Sequence, residues 1–201
     1  MATTLRRALL VLLALTCSLI PLTATAGPIT YTGSFTATGT VNGTPFDGNV
    51  QFILSSDTTL VFGNCNSVSG IFCTPNGTAS FSIQGIGVGT FTDPFNVFVN
   101  QGVAVAGFTD DAIEDILDLS SSAFSTYDLK SAIGPVNTSY FFVDTGVALG
   151  SNLGDVIIDS VSGTPTFTAT TGVTTPEPAS ALLFGSGLVG IAAMLRRKLR
   201  P

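Results

Sequence analysis

Polar and apolar residues alternate along most of the chain. Between 29 and 41, Ile29, Tyr31, Phe35, Ala37 and Val41 take odd positions, with threonine and serine mostly between them. From 46 to 54 the apolar set moves to even positions, at Phe46, Val50, Phe52 and Leu54. A period of two sends successive side chains to opposite faces, so both stretches read as half-buried antiparallel strands. Asn42-Gly43-Thr44-Pro45 lies between them and carries turn chemistry. Short β-branched or aromatic runs predict further strands at 59–62, 78–83, 86–91, 95–100 and 103–108, punctuated by Asn76-Gly77 and Asp93-Pro94. Strand patterning returns at 138–144, 155–161 and 164–171.

One stretch breaks the period. In 109–119, Asp111 and Glu114 have the spacing of a helix N-cap and its reciprocal partner, and Ile113, Ile116 and Leu117 fall on one helical face. Acidic residues in a first turn also suit the helix dipole. The pattern as a whole predicts an all-β fold, an antiparallel β-sandwich with one short helix across an end or edge. An open β-barrel is the alternative.

The two ends follow other rules. Residues 1–26 read as a secretory signal peptide and its helix: Arg6-Arg7, an apolar run at 8–20, Pro21, then the small-residue site Ala24-Thr25-Ala26. Such a segment calls for the Sec translocon and signal peptidase, with Gly27 as the mature start. At the other end Pro176-Glu177-Pro178 precedes an uncharged run at 179–195 and a basic cluster, Arg196, Arg197, Lys198 and Arg200. At 1.5 Å per residue that run spans roughly 25 Å, a little short of a ~30 Å hydrocarbon core. It reads as a transmembrane helix whose basic tail, 196–201, stays cytoplasmic. The two prolines keep the junction before it extended and accessible. The chain thus divides into a signal peptide (1–26), an exported β-rich domain (27–172), a linker (173–175) and a C-terminal segment (176–201).

That C-terminal order, the Pro-Glu-Pro tripeptide, a short hydrophobic helix containing Gly185-Ser186-Gly187 and then Arg196-Arg197-Lys198, resembles a PEP-CTERM sorting signal. The resemblance implies export in a Gram-negative bacterium that makes exopolysaccharide. It further implies processing near the tripeptide by exosortase, an integral-membrane enzyme. The precursor would be tethered transiently to the inner membrane, with its domain outside the cytoplasm, before reaching the cell surface or extracellular matrix. The body also resembles those of uncharacterised members, whose Thr/Gly-rich sheets end just before the tripeptide.

Charge sharpens the picture. Six of the seven basic residues sit in the terminal segments, leaving Lys130 against all 13 acidic residues in 27–178, a formal charge of −12. Such a surface repels nucleic acid and anionic lipid, and DNA or RNA binding is excluded. Cys65 and Cys73 form an even pair in an oxidising compartment and predict a disulfide closing a small loop, worth roughly 2–3 kcal/mol. A redox or metal role would need closer spacing or more ligands.

The chain has no histidine and no tryptophan. Ser–His–Asp and Cys–His arrangements are therefore impossible, and zinc hydrolysis lacks its usual ligands. A carboxylate-pair glycosidase needs only Asp and Glu, but glutamate occurs only at Glu114 and Glu177. We expect no catalytic activity and no cofactor. The one dense constellation is Asp110, Asp111, Glu114, Asp115 and Asp118, a weak set of calcium candidates. On a helix these carboxylates spread along a stripe, which fits a solvated face better than an ion cage. Asn42, Asn76 and Asn137 each head an N-glycosylation sequon, for which turn chemistry accounts in two cases.

Two readings of function follow. The leading one is an exported, non-catalytic surface or matrix protein associated with exopolysaccharide or biofilm. The alternative is a carbohydrate-binding or glycan-processing module carried on the same sorting signal. An aromatic strip on one sheet face, converging with two carboxylates in a cleft, would favour the second.

Overall fold

A computed structural model describes residues 27–110 and 114–172. The predicted signal peptide, the linker, the C-terminal segment with its transmembrane helix, and Asp111 lie outside the described residues. The chain opens with a long hairpin, β1 (Pro28–Val41) and β2 (Thr44–Asp57). Their connection is only Asn42-Gly43, at φ 49° and 76°. A two-residue loop with positive φ at both positions matches the twist of the flanking strands, and Asn-Gly is the pair that enters it most easily. Next come β3 (Phe62–Gly63), β4 (Ile71–Cys73), β5 (Ala79–Ile83), β6 (Gly87–Thr90), β7 (Phe95–Asn100) and β8 (Val105–Asp110). The remainder are β9 (Glu114–Ser120), β10 (Ile133–Asn137), β11 (Ser139–Val143), β12 (Ala148–Leu149) and β13 (Val156–Thr171).

Among the described residues the strands form two antiparallel sheets. One runs β10-β13-β1-β2-β5-β6, with β12 also pairing β13, and the other runs β11-β9-β8-β7-β4-β3. Their apolar faces meet in one core, so the fold is the predicted β-sandwich. The alternating residues read from sequence are the ones buried: Ile29, Tyr31, Phe35, Ala37 and Val41 from β1, and Phe46, Val50, Phe52 and Leu54 from β2. Phe52 is the hub between the sheets. It meets Phe35, Phe91, Phe95 and Phe108 edge-on, with ring centroids 5.2–6.5 Å apart. Each such pair adds about 0.5–1.5 kcal/mol beyond the area it buries. A second cluster gathers Tyr31, Phe124 and Tyr127 around Phe167. There a 3-10 turn, Ser122–Ser125, pushes Phe124 inward, and the Tyr31 hydroxyl donates to the Leu129 carbonyl at 2.6 Å.

The outer face of the first sheet is rich in hydroxyls. Thr168, Thr32, Ile53, Ser80 and Thr90 are successive partners across five strands. Thr30 with Ser55 and Thr38 with Ser160 share hydrogen bonds of 3.0 and 2.8 Å. Cross-strand threonine and serine pairs of this kind support a sheet face turned to water.

The structure corrects one element. The short helix predicted at 109–119 is absent: Thr109 and Asp110 continue β8, and Glu114–Ser120 is β9, paired antiparallel to it. Thr109 pairs with Asp115 and Phe108 with Leu117, which leaves Ile116 as an extra, bulged residue. The bulge buries Ile116 and Leu117 side by side. Consecutive buried residues in a bulged strand mimic the spacing of a helical face. Sheet pairing on both sides of β9 then outweighs the weak helical propensity of an Asp-rich segment.

Candidate functional site

The outer face of the second sheet carries a cleft of about 580 Å³. Its floor follows from alternation in β7. Phe95, Val97 and Val99 point into the core, so Asn96, Phe98 and Asn100 point out and line the cleft. Asn96, Thr109 and Asp115 are successive partners on β7, β8 and β9, and all three line it too. The next row runs across all six strands: Phe62, Cys73, Phe98, Gly107, Asp118 and Phe142. Three aromatic rings thus share one face with Asp115 and Asp118. Phe62 and Phe142 are 49% and 45% exposed, so their rings stand at the surface of that face.

The cleft wall is the segment from β4 to Gly77, and it is pinned to the floor. The Thr74 N–H donates to the Val97 carbonyl at 2.9 Å, and the Val97 N–H donates back to Thr74 Oγ1 at 2.9 Å. Gly77 and Phe95 exchange backbone bonds of 2.7 and 2.8 Å. Asn96 Nδ2 donates to Asn76 Oδ1 at 3.2 Å across the corner. The predicted disulfide is formed between Cys65 and Cys73, with Cα atoms 6.1 Å apart, and both cysteines line the cleft. It fixes the Cys65–Ser67 turn against the short strands β3 and β4 at the sheet's edge, where β3 is the outermost.

Asp118 is the unusual group. Gly107 has no side chain, and a Cβ there would collide with an Asp118 carboxylate oxygen and lie 2.6 Å from Phe98 Cε1. The Phe98 ring and the Asp118 carboxyl therefore close over the glycine together. Asp118 is only 4% exposed and its Oδ1 has no hydrogen-bond partner. Burial first, and the charge of Asp115 second, push its pKa up to about 7.

The calcium candidates whose side chains are described, Asp110, Asp115 and Asp118, do not share one face. Asp110 is buried on the inward side opposite Phe95, Asp118 is buried on the outward side, and Asp115 is exposed on the outward side. Glu114 pairs through its backbone with Asp110. Asp110 thus faces away from Asp115 and Asp118, whereas a calcium ion needs several oxygens converging on one point. Among the described residues no group of His, Cys, Asp or Glu is placed to hold a metal. Sequence reasoning missed the cleft residues Asn96, Phe98, Asn100 and Thr109. The legible signal was Phe98, a phenylalanine at the outward phase of a strand that otherwise turns asparagine outward.

The described residues end short of the C-terminal segment, and comparison with protein families decides that part. A PEP-CTERM protein-sorting motif matches residues 174–198. The chain carries a PEP-CTERM sorting signal. Pro176, Glu177, Pro178, Arg196, Arg197 and Lys198 all fall within the match. The PEP-CTERM motif marks an exported protein that is anchored at the membrane before processing, with exosortase as the processing partner. No curated protein and no solved structure matches the chain.

Proposed function

We propose that this PEP-CTERM protein acts, once exported, as a non-catalytic surface or matrix protein that holds exopolysaccharide in the cleft on its second sheet. The observation that carries the reading is Phe98, set on the cleft floor among Asn96, Asn100 and Thr109. An apolar ring face packs against the C–H face of a sugar, while amides and hydroxyls meet its hydroxyl edge. Binding without cleavage fits the carboxylates. A glycosidase needs two of them aimed at one bond, whereas Asp115 lines the cleft and Asp118 is sealed beside Phe98. The sorting signal supports the reading, because the motif implies export and membrane anchoring before processing.

The test is retention. In a host that makes exopolysaccharide, the wild-type protein should co-sediment with polymer extracted from the cell surface. Phe98→Ala should lower the retained fraction at least threefold, with unchanged export and melting midpoint. Equal retention of the variant would remove the cleft from the account.

A further inference from the structure

Resting on the glycan reading above, the geometry points to a particular ligand class: a glycan of amino sugars carrying free ammonium groups. Among the described residues, Asp115 is the sole charged side chain lining the cleft, and it lies on the same face as the Phe98 ring. Phe62, half exposed at the cleft's other side, offers a second ring face. An ammonium group gains from a carboxylate at short range and from the face of an aromatic ring. Asn96, Asn100 and Thr109 supply neutral donors and acceptors for the sugar hydroxyls.

The alternative polymer chemistry meets the opposite field. A polyuronate would bring carboxylates to Asp115 in a domain whose one cation, Lys130, stands against 12 acidic residues. Among the lining residues no arginine or lysine is available to pair with them. Like charges at such a site repel, and the whole-domain field adds to the local term. A neutral glycan avoids the repulsion but gains nothing from Asp115. The expected order is ammonium-bearing, then neutral, then uronate.

The experiment is calorimetric titration of the full chain in non-ionic detergent at low salt with three oligosaccharides of equal length. These are a fully deacetylated glucosamine oligomer, a neutral glucose oligomer and a uronic acid oligomer. The glucosamine oligomer should bind about three- to fivefold more tightly than the neutral one, the scale of one exposed charge pair. The uronic acid oligomer should bind weakest. Asp115→Asn should abolish the preference for the glucosamine oligomer over the neutral one, and added salt should do the same. Phe98→Ala should weaken both. Uronate binding equal to or tighter than that of glucosamine would overturn the ligand class and leave glycan binding standing, as would a preference that survives Asp115→Asn. Silence from all three oligomers would overturn the glycan reading together with this inference.

Discussion

A single carboxyl sets the most specific expectation at the scale of residues. Asp118 binds its proton more tightly folded, at a pKa of about 7, than an unfolded aspartate does at about 3.9. Its favourable contribution to folding is therefore complete below pH ~4 and is lost as pH rises to ~7. Above that, an ionised carboxylate lies against Phe98 with an unpartnered oxygen. Asp118→Asn imitates the protonated acid in similar volume. The variant should melt at the wild-type temperature near pH 4 and about 3–6 °C higher at pH 8, equivalent to ~1–2 kcal/mol. A difference between the two proteins that does not change with pH would refute this account of the group. None of it is readable from sequence, because Asp118 looks like any aspartate until the bulge at Ile116 and the bare Gly107 decide what covers it.

Elements were legible where local pattern and partners agree. The β1–β2 hairpin shows the agreement best, with one phase per strand and an Asn-Gly turn between them. The 155–161 and 164–171 runs are instead one strand, β13. Its buried residues sit at even positions, Val156 and Ile158, then at odd ones, Phe167 and Ala169. Two irregularities against β1 change the phase, between Ser34 and Thr36 and between Thr38 and Gly39. A phase change inside one strand looks in sequence like two strands with a break. The short strands β4, β10 and β12 were missed because pieces of two to five residues carry too little alternation to register.

The β3–β4 edge also yields a prediction. Its pairing comprises only Phe62 with Cys73 and Gly63 with Phe72, so the disulfide contributes much of what holds it. Replacing Cys65 and Cys73 together by serine should cost about 2–3 kcal/mol, read as a lower urea midpoint with an unchanged slope. The wild-type protein under reductant should match the double variant. A midpoint indifferent to reduction would show that β4 is held by its pairing to β7 alone.

At the scale of the whole molecule, folding and sorting occupy separate stretches of chain. β13 ends at Thr171, and the Gly172 N–H donates to the Pro28 carbonyl at 2.7 Å, tying the last described residue to the first strand. The sorting motif begins only at 174. Every strand of the described sandwich thus ends before the motif starts, and charge follows the same division. Cations cluster at the two ends, while the domain between them carries nearly all the acid. This division was readable early because export signals are linear, whereas a cleft requires six strands to be placed first. It follows that deleting 174–198 should leave the domain's melting midpoint within about 1 °C of wild type, since no described strand loses a partner. Location should change instead. Lacking its membrane hold, the truncated protein should pass into the soluble exported fraction, while the full chain is found first with the membrane and then as a shorter processed form. Fractionation followed by mass measurement of the released form reads both outcomes. A truncated protein that still partitions with the membrane would place the anchor elsewhere in the chain, and one that unfolds would make the C-terminal segment part of the fold.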